Sequence, residues 1–154
     1  MTTSLKPVDY KDDGDVDFLY RLLEQRPFVA CISHRRMPTF HEHYAFVATH
    51  PYTAWYIIMV DGMQAGAIYL SKQDEIGVHV AGDPLFQPRK QPLERLAISK
   101  LMEIHPRARY YANVAPFNQE GHALFQELGG RIVQQTYELS GDPDAATSTP
   151  PPAA

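Results

Sequence analysis

Cysteine is almost missing from this chain. Cys31 stands alone, which excludes an internal disulfide and any metal site built on paired thiols. Long apolar runs are missing too: the longest, AWYIIMV at 54–60, has the length of a strand, and neither a signal peptide nor a membrane span is read. Positive charge is not in excess. Fourteen Lys and Arg face eighteen Asp and Glu, a formal net charge of −4, which argues against a general nucleic-acid binder. A cytoplasmic protein, monomer or homodimer, is the resulting expectation. The stretch SGDPDAATSTPPPAA at 140–154 has no apolar side chain larger than Ala or Pro, too little to offset the entropy of ordering it. Residues 1–139 are therefore expected to form a single domain, followed by a disordered Pro/Ala-rich tail.

What is present reads as alternating strands and helices. Residues 4–10 suggest a first strand. Asp15 is expected to cap a helix with Phe18, Leu19, Leu22 and Leu23 on one face, ending before Pro27. VACIS suits a brief strand. In TFHE, Thr39 and Glu42 form a capping box that opens a helix ending before Pro51. WYIIMV-DG-MQAGAIYL predicts a hairpin with a type I′ turn at Asp61-Gly62. Its first run is apolar on both faces, so it belongs in the middle of the sheet. EIGVHVAG is a further strand. Leu93, Leu96, Ala97, Leu101 and Ile104 mark a helix over about 92–104. RYYANVA is a strand, Asn118 opens a helix closed at Gly129-Gly130, and RIVQQTYEL is the last strand. The sum is an α/β (α+β) fold: a mixed, mostly antiparallel sheet of six to seven strands flanked by about four helices.

Charge is unevenly spread. Residues 84–109 hold six of the fourteen Lys and Arg against Glu94 and Glu103. Arg89 and Lys90 stand before the long helix, where unpaired N–H groups and the positive end of the helix dipole stabilise an anion.

The order of elements over 4–139 resembles the GCN5-related N-acetyltransferase superfamily, whose members move acetyl from acetyl-coenzyme A to an amine. YYANVAPFNQEGHALFQELGGRIVQQTYEL is similar to that family's strand-Asn-helix-Gly-strand segment, and ALFQELGG to its aromatic-x-x-Leu-Gly-aromatic ending. The resemblance implies the acyl-CoA N-acyltransferase fold, with acetyl-CoA as acyl donor and a small-molecule amine, such as an amino sugar or a nucleotide-linked amine, as acceptor. It also implies that the IGVHV strand and the strand after the long helix splay apart around the pantetheine arm. Coenzyme contacts then fall to the backbone of Val78, His79 and Val80, to Arg89, Lys90, Gln91 and Leu93, and to Asn118. The family's phosphate loop reads Arg/Gln-x-x-Gly-x-Gly/Ala. Here Arg89-Lys90-Gln91-Pro92-Leu93-Glu94 occupies that register, with Pro92 and Glu94 in place of glycines. Proline supplies no N–H. A carboxylate about 5 Å from a phosphate costs roughly 1–3 kcal/mol at dielectric constants of 80 to 20, an effect that Arg89, Lys90 and Arg95 oppose if Glu94 turns outward. A catalytically degenerate binding module on the same fold is the alternative.

Amine acylation needs a base for the amine and an acid for the thiolate. Glu75, Gly77 and His79 alternate onto one strand face. Glu75, at a position similar to the family's base, is the first choice, and His79 the second. Phe125 occupies the place of the family's acidic tyrosine and cannot donate a proton, which leaves Tyr111 or Tyr137 as substitutes, or direct loss of the thiolate to water. His34, Arg35 and Arg36 lie in the region that the resemblance places over the acceptor. His41, His43 and His50 do not have H-E-x-x-H spacing, although His43 and His50 would share a helix face, so no metal site is expected.

Overall fold

The computed structural model describes residues 1–27, 30 and 36–142. Its frame is a four-stranded antiparallel sheet of β1 (Thr3–Pro7), β2 (Ala54–Val60), β3 (Met63–Leu70) and β4 (Ile76–Val80), side by side in chain order. The β2–β3 hairpin turns at Asp61 (φ 49°) and Gly62 (φ 80°), the two left-handed residues of a type I′ turn. Thr2 N–H closes the adjacent edge by donating to Asp61 Oδ1 at 2.7 Å. As its two-faced apolarity predicts, β2 is an inner strand.

Helices α1 (Asp13–Gln25) and α2 (Phe40–Ala48) cover one face. Val16, Phe18, Leu19, Leu22 and Val47 pack there against Ile57, Ala65 and Ala67. Helices α3 (Lys90–Ile104) and α4 (Gln119–Glu127) cover the other, where Ala97, Ile98, Leu101 and Leu124 meet Ile58, Ile68, Leu70 and Ile76. Each fully buried Leu or Ile contributes roughly 1.5–3 kcal/mol, and the two layers together lock the sheet. Within α3, Leu96 and Ile104 are exposed, because the stripe that faces the sheet runs through Leu93, Ala97, Ile98 and Leu101.

Asp12, not Asp15, caps α1, accepting from Gly14 N–H at 2.9 Å. Asp15 is instead a buried carboxylate. It accepts from Lys6 Nζ at 2.7 and 2.9 Å, Asp9 N–H at 3.0 Å and Gln64 Nε2 at 3.3 Å, and so ties β1, α1 and β3 together. The capping box of α2 forms as expected: Glu42 N–H donates to Thr39 Oγ1 at 3.1 Å, and Thr39 N–H to Glu42 Oε1 at 3.3 Å.

The described residues hold four strands rather than the expected six to seven. VACIS, apart from Ala30, and residues 143–154 of the tail lie outside the described residues. RYYANVA makes one parallel bridge, Tyr111 to Glu75, and RIVQQTYEL is coil. Both segments have strand composition, but composition supplies no partner. Helix α4 starts at Asn118, whose side chain accepts from Gly121 N–H at 3.1 Å, and ends at Gly129 (φ 86°), as the sequence predicts.

Candidate functional site

The outer edge of β4 and the start of α3 meet at one end of the molecule. Ile76 N–H donates to Tyr111 C=O at 2.7 Å and Tyr111 N–H to Asp74 C=O at 2.9 Å. Beyond that bridge, residues 112–114 make no further backbone bond to β4 among the described residues, so the two segments part. Backbone groups alternate sides along a strand. Since Ile76 faces Tyr111, Val78 and Val80 turn their N–H and C=O to the same open edge. His79 turns its own toward β3, where it is registered with Ala67. Val78 and Val80 are therefore placed to pair with an extended ligand, while the His79 backbone, expected among the contacts, is already part of the sheet.

On the α1/α2 face, the ring of Tyr69 lies across Gly77 and stacks on Tyr52, with centroids 3.9 Å apart and an interplanar angle of 4°. Trp55 and Phe46 complete the cluster edge-on to Tyr52. Arg26, the C-cap of α1, is the cation that these groups share. Burial lowers the His79 imidazole to about 4, and the charges of Arg26 and Lys90 add to that. Burial raises the Tyr69 phenol; Arg26 opposes the rise and Glu75 adds to it. Burial likewise raises Tyr52. His79 is thus a neutral imidazole at neutral pH. Arg26, Tyr52 and Tyr69 do not emerge from sequence reading. Tyr69 carries a faint signal in its register opposite a glycine, whereas the approach of Arg26 to β4 carries none.

Glu75 stands directly before β4. Its Oε1 accepts from Ser71 Oγ at 3.2 Å and its Oε2 from Asn113 Nδ2, while its N–H donates to Ser71 Oγ at 3.0 Å. Tyr111 is its backbone neighbour. The structure brings Glu75, Tyr111 and the Gly77–Tyr69 contact together but does not add Tyr137, which is exposed on the segment after α4 and has no hydrogen-bond partner among the described residues.

At the start of α3 the expectation needs correction. Glu94 does not turn outward: it is 6% exposed, and Lys90 Nζ lies 3.6 Å from its Oε1. Burial raises the Glu94 carboxyl, with Lys90 opposing. Lys90 also donates to Glu120 Oε2, and Arg95 is paired with Glu127. Leu93 is a core residue. Lys90 N–H donates to Gln87 C=O and Pro92 has no N–H, so the first turn offers an anion at most the N–H of Gln91. Arg89 is exposed, and its guanidinium donates to Met1 Sδ at 2.7 Å. The strand edge thus leaves the outward backbone groups of Val78 and Val80 open to an extended ligand, and the start of α3 adds Arg89 and a Lys90 already engaged by two carboxylates.

Among the described residues the histidines do not converge. His43 is buried against Val16 C=O at 3.3 Å, which makes it a core group. His50 lies beyond the end of α2 at φ 50° and packs edge-on to Tyr10, so it does not share a helix face with His43. Arg36 reaches Glu42 at 3.5 Å; His34 and Arg35 lie outside the described residues. Two concavities, of about 300 and 510 Å³, are lined by neither Glu75, His79, Arg89 nor Lys90. The first lies around Trp55 and shares Tyr52 with the ring cluster, and the second lies around Asp15 beside α1.

No family model and no curated protein matches the chain by sequence. Solved structures do match by shape. An acetyltransferase from Thermus thermophilus superposes with a TM-score of 0.68 at 22% identity, covering 87% of this chain and 90% of that one. A chimera of the Vibrio cholerae spermidine N-acetyltransferase SpeG and hSSAT gives 0.63 at 16%, over 82% and 79%. AAC(6')-Iy bound to the bisubstrate analogue CoA-S-monomethyl-acetylneamine gives 0.63 at 13%, over 92% and 99%. A match over nearly the whole of both chains, with a bridged and then diverging pair of segments beside β4, settles the architecture: this chain has the fold of the GCN5-related N-acetyltransferases.

Proposed function

We propose that this protein is an N-acetyltransferase that moves acetyl from acetyl-coenzyme A to a primary amine of a small molecule, an amino sugar or a nucleotide-linked amine among the candidates. The observation that carries this reading is the open edge of β4 at Val78 and Val80, beside a segment that leaves the strand after one bridge. Backbone groups there bind the pantetheine amides as an added strand does. Acetyl-coenzyme A, when bound, supplies an activated thioester. Val78 N–H is placed to polarise a carbonyl laid along that edge. Arg89 and Lys90 hold the diphosphate with the N–H of Gln91. Asn118 remains a candidate coenzyme contact, although its cap bond to Gly121 already accounts for it.

Glu75, oriented by Ser71 and Asn113, takes the proton of the acceptor amine through water. His79 is neutral and can accept a proton, but burial makes it a weak base. Tyr111, bridged to Glu75, is better placed than Tyr137 to protonate the departing thiolate. The shape neighbours SpeG and AAC(6')-Iy, a spermidine acetyltransferase and a protein bound to an acetylneamine conjugate, support an amine acceptor.

A second reading, a binding module with a weakened coenzyme site, is favoured by the double engagement of Lys90 with Glu94 and Glu120. Calorimetry separates the two. Micromolar binding of acetyl-coenzyme A, weakened at least tenfold in Arg89→Ala and accompanied by thiol release in an amine panel, supports the enzyme. Absence of heat at millimolar ligand overturns it.

A further inference from the structure

We infer that Arg26, with the hydroxyl groups of Tyr52 and Tyr69, holds an oxyanion of the acceptor, so that the amine acetylated carries a carboxylate or a phosphate and is not a polyamine. The inference rests on the acetyltransferase reading and narrows its acceptor. The placement of Arg26 comes from backbone contacts. Gln25, the last residue of α1, accepts from Gly82 N–H at 2.8 Å through its side chain, which ties the end of the helix to the residues just past β4. Arg26 follows as the C-cap, its N–H donating to Leu23 C=O at 3.3 Å. It is half-buried, on the α1/α2 face of the sheet that Gly77 and His79 share. Its guanidinium makes no ion pair with a carboxylate among the described residues.

The two rings complete the arrangement. A Cβ on Gly77 would stand 2.5 Å from Tyr69 Oη, so this hydroxyl lies over β4 between Glu75 and His79. Tyr52 is stacked on the same ring. Neither hydroxyl is hydrogen-bonded to another side chain or to the backbone among the described residues. Burial keeps both phenols protonated, and Arg26 is the cation that acts on both and on His79. A guanidinium only donates, and a phenol that stays protonated has a proton to give. The ligand group that matches such a set is a carboxylate or a phosphate, whose paired oxygens fit the guanidinium fork.

The charges around the site point the same way. Glu75 is the carboxylate of this strand face, and Ser71 and Asn113 already engage both of its oxygens. A second cation, Lys90, acts on His79. A polyamine meets like charge here, whereas an amine with an anionic group a few bonds from its nitrogen satisfies Arg26 and reaches Glu75 together.

The test follows thiol release at saturating acetyl-coenzyme A with matched acceptors: γ-aminobutyrate against butylamine, a phosphorylated amino sugar against its unphosphorylated form, and spermidine. The anionic member of a pair is expected to have a kcat/KM at least about tenfold above its partner, with spermidine poorer still. The pair that shows the larger ratio tells carboxylate from phosphate. In Arg26→Met the ratio is expected to fall to within about twofold through a higher KM for the anionic amine, and Arg26→Lys to keep an intermediate preference. Circular dichroism checks that each variant is folded. Equal or better turnover of the neutral amines or of spermidine in the wild type, or a preference that survives in Arg26→Met, overturns the inference. The acetyltransferase reading fails separately: if no amine releases thiol, calorimetry of the anionic amines with coenzyme A present decides the role of Arg26. Heat that is lost in Arg26→Met supports the oxyanion site, and absence of heat in the wild type overturns it.

Discussion

The ring of Tyr69 crosses Gly77 so closely that a Cβ atom on the glycine would stand 2.2 Å from Tyr69 Cζ. Tyr69 cannot simply swing aside, because its other face is stacked on Tyr52. Gly77→Ala must therefore shift both rings, and overpacking of this kind costs about 1–3 kcal/mol. For a domain of this size that lowers Tm by roughly 2–12 °C. Gly82→Ala, whose Cβ would meet Gln25 Oε1 at an ordinary 3.5 Å, is the matched control and should stay within about 0.5 kcal/mol. Equal Tm values for the two variants would show that the stack yields freely.

The hairpin, both capping boundaries of α2 and the Gly129 stop were legible because each depends on a few adjacent residues with special backbone or hydrogen-bonding needs. The cap of α1 was misread by three positions: Asp12 and Asp15 are equally good caps locally, and only Lys6 and Gln64, distant in sequence, draw Asp15 into the interior. The last two strands were misread for a related reason. Their composition is right, but pairing is a property of the partner. At the site, the alternation of Glu75, Gly77 and His79 could be read from the two-residue period. The inward turn of Glu94 could not, since it comes with Lys90 pairing to Glu94 and, on α4, to Glu120.

His79 makes the fold sensitive to acid. Its folded-state pKa, about 4, lies below the unfolded value near 6.5. The stability it contributes is complete above pH 6.5 and is lost as pH falls toward 4, by up to ~1.4 kcal/mol per unit. His79→Gln removes that loss. Urea unfolding at pH 7 and pH 5 should show a difference smaller by about 1–2 kcal/mol in the variant, with a residual slope from His43, which burial shifts in the same direction. An unchanged difference would show that His79 protonates in the folded state as freely as in water.

Glu94 has the opposite sign. Burial raises its carboxyl, so its contribution is favourable below the unfolded pKa and is lost as pH rises through the folded value. At pH 7.5 the charged group is a burden that Lys90 only partly offsets. Glu94→Gln should match or exceed the wild-type Tm there, by about 2–4 °C for each 1 kcal/mol gained, and the gap should close toward pH 4.5. The freed Lys90 should also tighten coenzyme A binding in calorimetry. A variant with lower Tm and weaker binding would show instead that the pair is net stabilising and holds the loop in shape.

Glu75 is the residue on which structure and chemistry compete most directly. Both carboxylate oxygens are occupied, by Ser71 Oγ and Asn113 Nδ2, so Glu75 already has a structural task in joining the end of β3 to the segment after Tyr111. Two substitutions separate that task from catalysis. Glu75→Gln keeps the size and one acceptor but cannot take a proton; for a general base it should lower kcat about 10²–10⁴-fold with coenzyme affinity little changed. Asn113→Ala removes the tie and leaves the carboxylate, so it should cost about 1 kcal/mol of stability and no more than a few-fold in kcat. Should both variants lose turnover in proportion to their loss of Tm, Glu75 is a brace and the proton goes elsewhere. If Glu75→Gln alone loses it, the carboxylate is the base and the bond from Asn113 only braces it.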